Sequence, residues 1–355
     1  MMKKTYEGER RKMLIDNYQL DMSCWSGRVD SEDDYDAFRW HQWVQPLDLS
    51  VENISVPECK LGFAFIGFCG EQGVKRNKGR IGTASAPNII REQMSSLPCN
   101  FSREVKLYDA GNIVCEKISL EQGQKFLGQA VNKLLSLGLF PIVLGGGHET
   151  TFGHYQGQLE YAKKEREKPD LAIVNFDAHF DIRPYQDGAS SGSMFRQIAD
   201  ICKEQEIPFG YMPIGIQQHS NTIRLFKTAE ELGVDYILAK RVQNSSYAAI
   251  LERVDYFMYQ HERAYMTVCM DVFSSAFAPA VSAPQSLGLN PEVVIPIIKH
   301  ILRTRKVVGF DICEISPRFD LDNTTANLGA TIIFTVVSTL CKLNNLPADS
   351  HGDLS

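Results

Sequence analysis

The chain has little of what would direct it to a membrane, a nucleic acid or an oxidising compartment. No run reaches the ~18 consecutive apolar residues of a membrane span. The opening Met1-Met-Lys-Lys-Thr-Tyr-Glu lacks the apolar segment of a secretory leader, so no signal peptide is expected. Positive charge is not in excess. Lys and Arg number 37 against 43 Asp and Glu, a net charge of −6. That balance argues against nucleic-acid or membrane-surface partners. The nine cysteines show no C-x-x-C spacing, and their odd number fits a reducing, cytoplasmic setting better than a disulfide framework. Repeats and low-complexity tracts are absent. Gly70-Glu-Gln-Gly73 and Gly79-Arg-Ile-Gly82 match neither the dinucleotide fingerprint nor a Walker A loop, so no nucleotide site is expected.

What remains is a 355-residue chain with 44% hydrophobic residues, enough for one large α/β domain or two small ones. Apolar runs such as Leu61–Cys69, Phe140–Leu144, Leu171–Val174 and Lys306–Ile312 read as buried parallel strands. Helical patterns lie between them. Ser119-Leu-Glu-Gln122 is a capping box, and Asn290-Pro291 caps and starts a later helix. The alternation repeats about eight times, which predicts a parallel sheet with helices on both faces. Residues 1–60 are polar, carry Trp25, Trp40 and Trp43, and read as an N-terminal arm packing on a main domain, 61–355.

The chemistry centres on Asp177-Ala-His-Phe-Asp181, which follows the Leu171 run. Alternate side chains of an extended chain share a face, so Asp177, His179 and Asp181 converge at a strand's C-terminal end. An isolated D-x-H-x-D is also compatible with a solvated strand end. His148, after Gly145-Gly-Gly147, falls at the same sheet edge, as do Cys269 and Asp271 on one strand face and Glu314 after the last strand. Ligands of open α/β sheets bind at that edge. Two imidazoles and several carboxylates there suit a divalent metal such as Mn²⁺ or Zn²⁺.

Together these motifs resemble the ureohydrolases, the arginase and agmatinase superfamily, whose pattern is Gly-Gly-x-His, Asp-Ala-His-x-Asp and Ser-x-Asp-x-Asp. The resemblance implies a three-layer α/β/α domain with an eight-stranded parallel sheet and two Mn²⁺ per subunit. His148, Asp177, His179, Asp181 and Asp271 stand at the metal-ligand positions, and Glu314 where a carboxylate holds a cationic amidine or guanidine. Within the superfamily the chain is similar to the formimidoylglutamase branch. Trp25-x-Gly-Arg-x-Asp30 with Arg39-Trp-His-Gln42, Arg183 after the triplet, and Ser190-Ser-Gly-Ser-Met-Phe-Arg-Gln197 carry that likeness. Arginases place a proton-shuttling histidine near the position of Met194; its absence counts against arginase. The implied reaction is hydrolysis of N-formimino-L-glutamate to glutamate and formamide. Asp181 would pass a proton to the leaving amine. Arg183, Arg196 and Ser191 would hold the carboxylates, with Arg28 a weaker candidate. Either of Arg183 and Arg196 could instead make a structural ion pair. Relatives are often homo-oligomers.

Cys269 departs from the pattern, which has a bridging aspartate there. A thiolate can ligate but suits Zn²⁺ better than Mn²⁺, with Fe²⁺ a further alternative. A neutral thiol removes one negative charge, leaving occupancy of the second metal site open. Two other readings therefore stand beside the first: a ureohydrolase acting on a guanidine, and a metal-poor pseudoenzyme.

Overall fold

The computed structural model describes residues 16–348. The first fifteen residues of the expected arm and the last seven of the chain lie outside the described residues.

Ten strands form one sheet: β1 (Tyr18–Gln19), β2 (Gln45–Pro46), β3 (Leu61–Cys69), β4 (Val105–Val114), β5 (Phe140–Leu144), β6 (Leu171–Phe176), β7 (Tyr211–Ile216), β8 (Ile237–Leu238), β9 (Arg263–Cys269) and β10 (Val307–Cys313). Their order is β1-β4-β3-β5-β10-β9-β6-β7-β8, with β2 also on β4. The strands from β3 to β10 are the expected eight parallel ones. The two extra strands are two-residue pieces of the arm, and β1 runs antiparallel to β4.

Eight longer helices cover the two faces: α1 (Ala86–Ser95), α2 (Leu120–Ser136), α3 (Thr150–Ala162), α4 (Met194–Glu204), α5 (Ile223–Glu231), α6 (Tyr247–Gln260), α7 (Pro291–Arg303) and α8 (Thr324–Leu343). Side-chain alternation along the strands divides the core. Ile142, Leu144, Val174 and Phe310 point to the layer of α1, α6, α7 and α8. Val143, Ile66, Ile173 and Tyr265 point to α2, α3, α4 and α5. The caps form as the sequence indicates. Ser119 Oγ accepts from Gln122 N at 3.2 Å while Gln122 Oε1 accepts from Ser119 N at 3.1 Å. Asn290 Oδ1 accepts from Glu292 N at 2.8 Å.

Two local readings change, those of the strands from Ala264 and from Val105. The loop read from Arg183 ends at Ser193 as expected, and α4 begins at Met194 and buries Met194, Phe195, Ile198 and Cys202. The strand expected to run from Ala264 to Phe273 ends at Cys269, and Asp271 sits in the following 3-10 turn, Met270–Val272. β4 continues past Asp109 to Val114, because Gly111 takes φ +73° and lets the strand bulge without ending. One stretch, Leu321–Leu343, is long enough and on average apolar enough to cross a membrane, with mean hydropathy 1.5, although polar residues interrupt it and no 18 consecutive residues are apolar. Half of that window is buried, and Ile332, Ile333, Val336 and Val337 of α8 belong to the core.

The arm is fastened to the β4 edge through a buried ion pair. Arg91 on α1 holds Asp109 of β4 with two bonds, 2.6 and 3.0 Å long. Trp25 Nε1 donates to the same carboxylate at 2.5 Å, and Gly111 N at 2.8 Å. Trp40, wholly buried, stacks on Phe65 with centroids 5.7 Å apart. Removing one partner of such a pair strands the other charge in a dry site. Asp109→Ala should therefore lower the unfolding free energy by about 3–5 kcal/mol. Denaturant titration reads this, and a loss under about 1 kcal/mol would contradict the role assigned to the pair.

Candidate metal centre

The strands β5, β6, β9 and β10 lie side by side at the middle of the sheet and end together. Two turns build the edge there. In the first, Gly145 N donates to Ile312 O at 2.8 Å and Glu314 N to Gly146 O at 2.9 Å, which locks the glycine turn to the end of β10. A Cβ on Gly146 would stand 1.9 Å from Gly70 O, so only glycine permits this approach. In the second, Asn221 clamps the chain after β6. Its Oδ1 accepts from Phe180 N at 3.1 Å and its Nδ2 donates to Ala178 O at 2.9 Å. Asp181 (φ +50°) and Glu314 (φ +72°) are both left-handed without being glycine. Such backbone costs about 1–3 kcal/mol, held in place by the surrounding bonds, and it aims both carboxyls inward.

The side chains then meet in two groups. One ligand atom each from His148, Asp177 and Cys269 lie within 4.8 Å of one another, and so do those of Asp177, His179 and Asp271. Asp177 belongs to both. His148 Nδ1 is 3.1 Å from Asp177 and 3.0 Å from Asp181, and His179 Nδ1 is 3.1 Å from Asp271. All six are buried except His179, whose side chain is 17% exposed, so the pocket meets solvent on its side. Glu314 Oε1 accepts from His148 N at 2.5 Å. Its Oε2 and the Oε2 of Glu149 are buried without a hydrogen-bond partner.

The charges explain why this set fits cations. Burial works against a charge on His148 and His179, yet their carboxylate neighbours hold both pKa values well above the ordinary histidine value. Burial would raise Asp177 too, but His148 and His179 hold it well below the carboxylate range. Asp181 is pushed up to about 6 by burial and by the charge of Asp177. Burial, then Asp177 and Asp271, push the Cys269 thiol far up. Five carboxyls in so small a dry volume lack enough positive charge. Two divalent ions would fit that deficit: His148, Asp177 and Cys269, with Asp181 beside them, could hold one, and Asp177, His179 and Asp271 the other.

A polar network behind the cluster was not singled out from the sequence. Thr267 Oγ1 donates to Asp311 Oδ1 at 2.5 Å and so accepts from His148 Nε2 at 3.1 Å. Asp311 also takes Tyr265 OH and, at 3.1 Å, His154 Nδ1. His148 thereby turns Nδ1 toward Asp177 and Asp181, as a ligating imidazole requires. The available signal was spacing: Thr267 lies two residues before Cys269, and Asp311 three before Glu314.

The remaining candidates divide. Arg183 is half-buried beside Gly192, and Ser191 is buried next to it. Arg196 pairs with Asp200 at 3.2 Å, one turn along α4, and lines a surface pocket with Tyr185 and Arg224. Its guanidinium makes the structural ion pair named as its alternative. Arg28 pairs with Asp30 at the exposed surface of the arm. Near the expected histidine position, Met194 and Phe195 are wholly buried, and the Phe195 ring stands edge-on to His148 at 5.6 Å.

The arginase family model matches residues 62–338, and the chain belongs to that family of metal-dependent hydrolases. Among similar relatives, the formimidoylglutamase of Clostridium tetani is 56% identical over 336 residues, covering 94% of this chain and 99% of that one. The formimidoylglutamase of Geobacillus thermodenitrificans is 42% identical, covering 87% and 92%. Among solved structures, the Bacillus subtilis formimidoylglutamase superposes with TM-score 0.74 at 21% identity, covering 89% and 96%. A Trypanosoma cruzi formiminoglutamase solved with Mn²⁺ gives 0.70 at 23%, covering 81% and 96%.

Removing metal exposes the electrostatics of the pocket directly. Burial pushes Glu149 up to about 7, and burial with the Glu149 charge pushes Glu314 up to about 8. Each holds a proton in the folded chain that it has released in the unfolded chain above 4.5, so its stabilisation is full below that value and lost as pH rises through about 7 and about 8. The raised His148 and His179 act in the same direction. The thermal midpoint of the metal-free protein should fall from about pH 5 to about pH 8, and Glu149→Gln should flatten the fall. A level or rising midpoint in calorimetry contradicts this.

Proposed function

We propose that the chain hydrolyses N-formimino-L-glutamate to L-glutamate and formamide, with two Mn²⁺ held by His148, Asp177, Asp181, Cys269, His179 and Asp271. The observation that carries the substrate is 56% identity over nearly the whole length to a formimidoylglutamase. The site supports it. When bound, the pair of divalent ions supplies a hydroxide nucleophile at neutral pH.

The rest is work for the protein's own groups. Glu314 Oε2, buried and unpartnered, accepts from the amidinium, whose positive charge offsets the cost of ionising that carboxyl. Asp181 passes a proton to the amine of glutamate as the C–N bond breaks, and the left-handed backbone keeps its carboxyl in the pocket. Arg183 meets a substrate carboxylate with its two-pronged guanidinium. Ser191 donates beside it. Buried Met194 and Phe195 leave this corner without a second proton carrier.

Cys269 alters the metal preference without dismantling the site, because Asp177 remains shared by both groups. The residue count favours oxygen and nitrogen donors, and these suit Mn²⁺. The arm through residue 60 serves as a packing element on the main domain through Trp25 and Trp40. The nine free thiols fit a cytoplasmic setting. Assembly into a homo-oligomer rests on the family likeness and is read by light scattering.

Protein reconstituted with Mn²⁺ under reducing conditions should release formamide from N-formimino-L-glutamate and no urea from agmatine or guanidinobutyrate. The reverse pattern favours a guanidine hydrolase, and no turnover on either favours a pseudoenzyme. Glu314→Gln and Asp181→Asn should each lower kcat by about 100-fold or more. Cys269→Asp should raise Mn²⁺ occupancy and rate. A lower rate in that variant would make the thiolate a required ligand.

A further inference from the structure

The glycine- and lysine-rich segment after β3 has no nucleotide motif, yet it is built into the rim of the metal pocket. Gly147 N donates to Gly70 O at 3.1 Å, and Gly73 N to Glu149 Oε1 at 2.8 Å. Farther along, Arg80 N donates to Ser282 O at 3.0 Å, and Ser316 Oγ to Ile81 O at 3.2 Å. These bonds hold residues 70–81 against the turns that carry His148 and Glu314.

The same segment reaches the loop that follows Arg183. Arg76 Nη1 donates to Ala189 O at 2.9 Å, and Asn77 Nδ2 donates to Ser191 Oγ at 3.3 Å. Asn77 and Arg183 flank Gly192 closely. A Cβ built there would lie 2.9 Å from Asn77 Oδ1 and 3.0 Å from Arg183 Cδ. Arg76 is engaged by Glu121 at 2.7 Å, whereas no hydrogen bond or ion pair engages the Arg183 guanidinium among the described residues. Ser191 is buried, while Asn77 is exposed and Arg183 half-buried.

Hydrogen-bond bookkeeping gives the cluster a direction. A serine hydroxyl has one hydrogen to donate. Ser191 Oγ accepts from Asn77, so its own hydrogen is left for an incoming acceptor. Both amide atoms of Asn77 and the Arg183 Cδ border Gly192, the residue after Ser191. A free hydroxyl hydrogen, an amide and an arginine without an ion pair, gathered around Ser191 and Gly192 with no carboxylate among them, match an anionic acceptor.

We infer that Asn77 is a specificity-determining residue, which orients Ser191 and joins Arg183 in binding one carboxylate of a dicarboxylate substrate. The inference rests on the function proposed above. It makes the segment after β3 the second wall of the substrate pocket and gives the chain a reason to bind that segment at both ends.

The test uses the full-length, Mn²⁺-loaded enzyme and its Asn77→Ala, Asn77→Asp and Lys75→Ala variants. Asn77→Ala should raise KM for N-formimino-L-glutamate about tenfold while kcat falls less than about twofold. Asn77→Asp should raise KM further, because it sets a carboxylate against a carboxylate. Lys75→Ala, on the same turn, should change KM less than about twofold. An unchanged KM in Asn77→Ala, a loss confined to kcat, or an equal effect from Lys75→Ala overturns the inference while leaving the proposed reaction standing. A second readout is independent of turnover. L-glutamate, which carries both carboxylates, should raise the thermal midpoint of the parent protein, and Asn77→Ala should abolish that rise. Should the parent protein fail to hydrolyse the formimino substrate, the proposed reaction falls, and this shift alone decides the inference. No shift in the parent, or an equal shift in both, overturns it.

Discussion

Crowding of negative charge in a dry pocket is the constraint that organises this molecule. Asp177 has no exposed surface, and Asp181, Asp271, Glu314 and Glu149 are buried around it. The nearby imidazoles of His148 and His179 cannot balance five carboxyls. Carboxylates brought together out of water repel, take up protons or recruit cations. Every element around the pocket reads as a means of holding that arrangement until positive charge arrives, as metal ions and then as a cationic amidine.

The scaffold meets this demand by stiffness. Parallel strands buried on both faces end at one edge, and the glycine turn after β5 is bonded to the end of β10. Asn221 fixes the chain between Ala178 and Phe180. The Thr267–Asp311 pair fixes His148 from behind. Those bonds sustain the left-handed backbone at Asp181 and Glu314, two positions where a relaxed chain would turn its carboxyl elsewhere. Stability of the fold and order in the site are therefore one property. The wall formed by residues 70–81 extends the same logic from the metals to the substrate.

Much of this was legible in the sequence, for reasons that can be named. The eight parallel strands announce themselves as short apolar runs between capped helices. The donor set shows in the Asp177-Ala-His-Phe-Asp181 motif, although β6 ends at Phe176 and the turn clamped by Asn221, not the strand alternation expected, brings the three side chains together. What the sequence hid were relations between distant residues. Asp311 looks like one more strand residue until Thr267 on β9 is placed beside it. Arg196 looks like a substrate ligand until α4 is seen to begin at Met194 and set Asp200 one turn away. Asp271 is on a 3-10 turn and not on the strand, since β9 stops at Cys269. Asn77 lies in a glycine- and lysine-rich segment that was weighed only against nucleotide motifs, and its contact with Ser191 spans 114 positions.

The claim on which all this depends is that Asp177 is common to two metal positions. Anomalous diffraction at the manganese edge, from crystals grown with Mn²⁺, tests it directly. The account predicts two peaks about 3.5–4 Å apart, with Asp177 bonded to both, one near His148 and the other near His179 and Asp271. A single peak, or two peaks that share no ligand from Asp177, would contradict it.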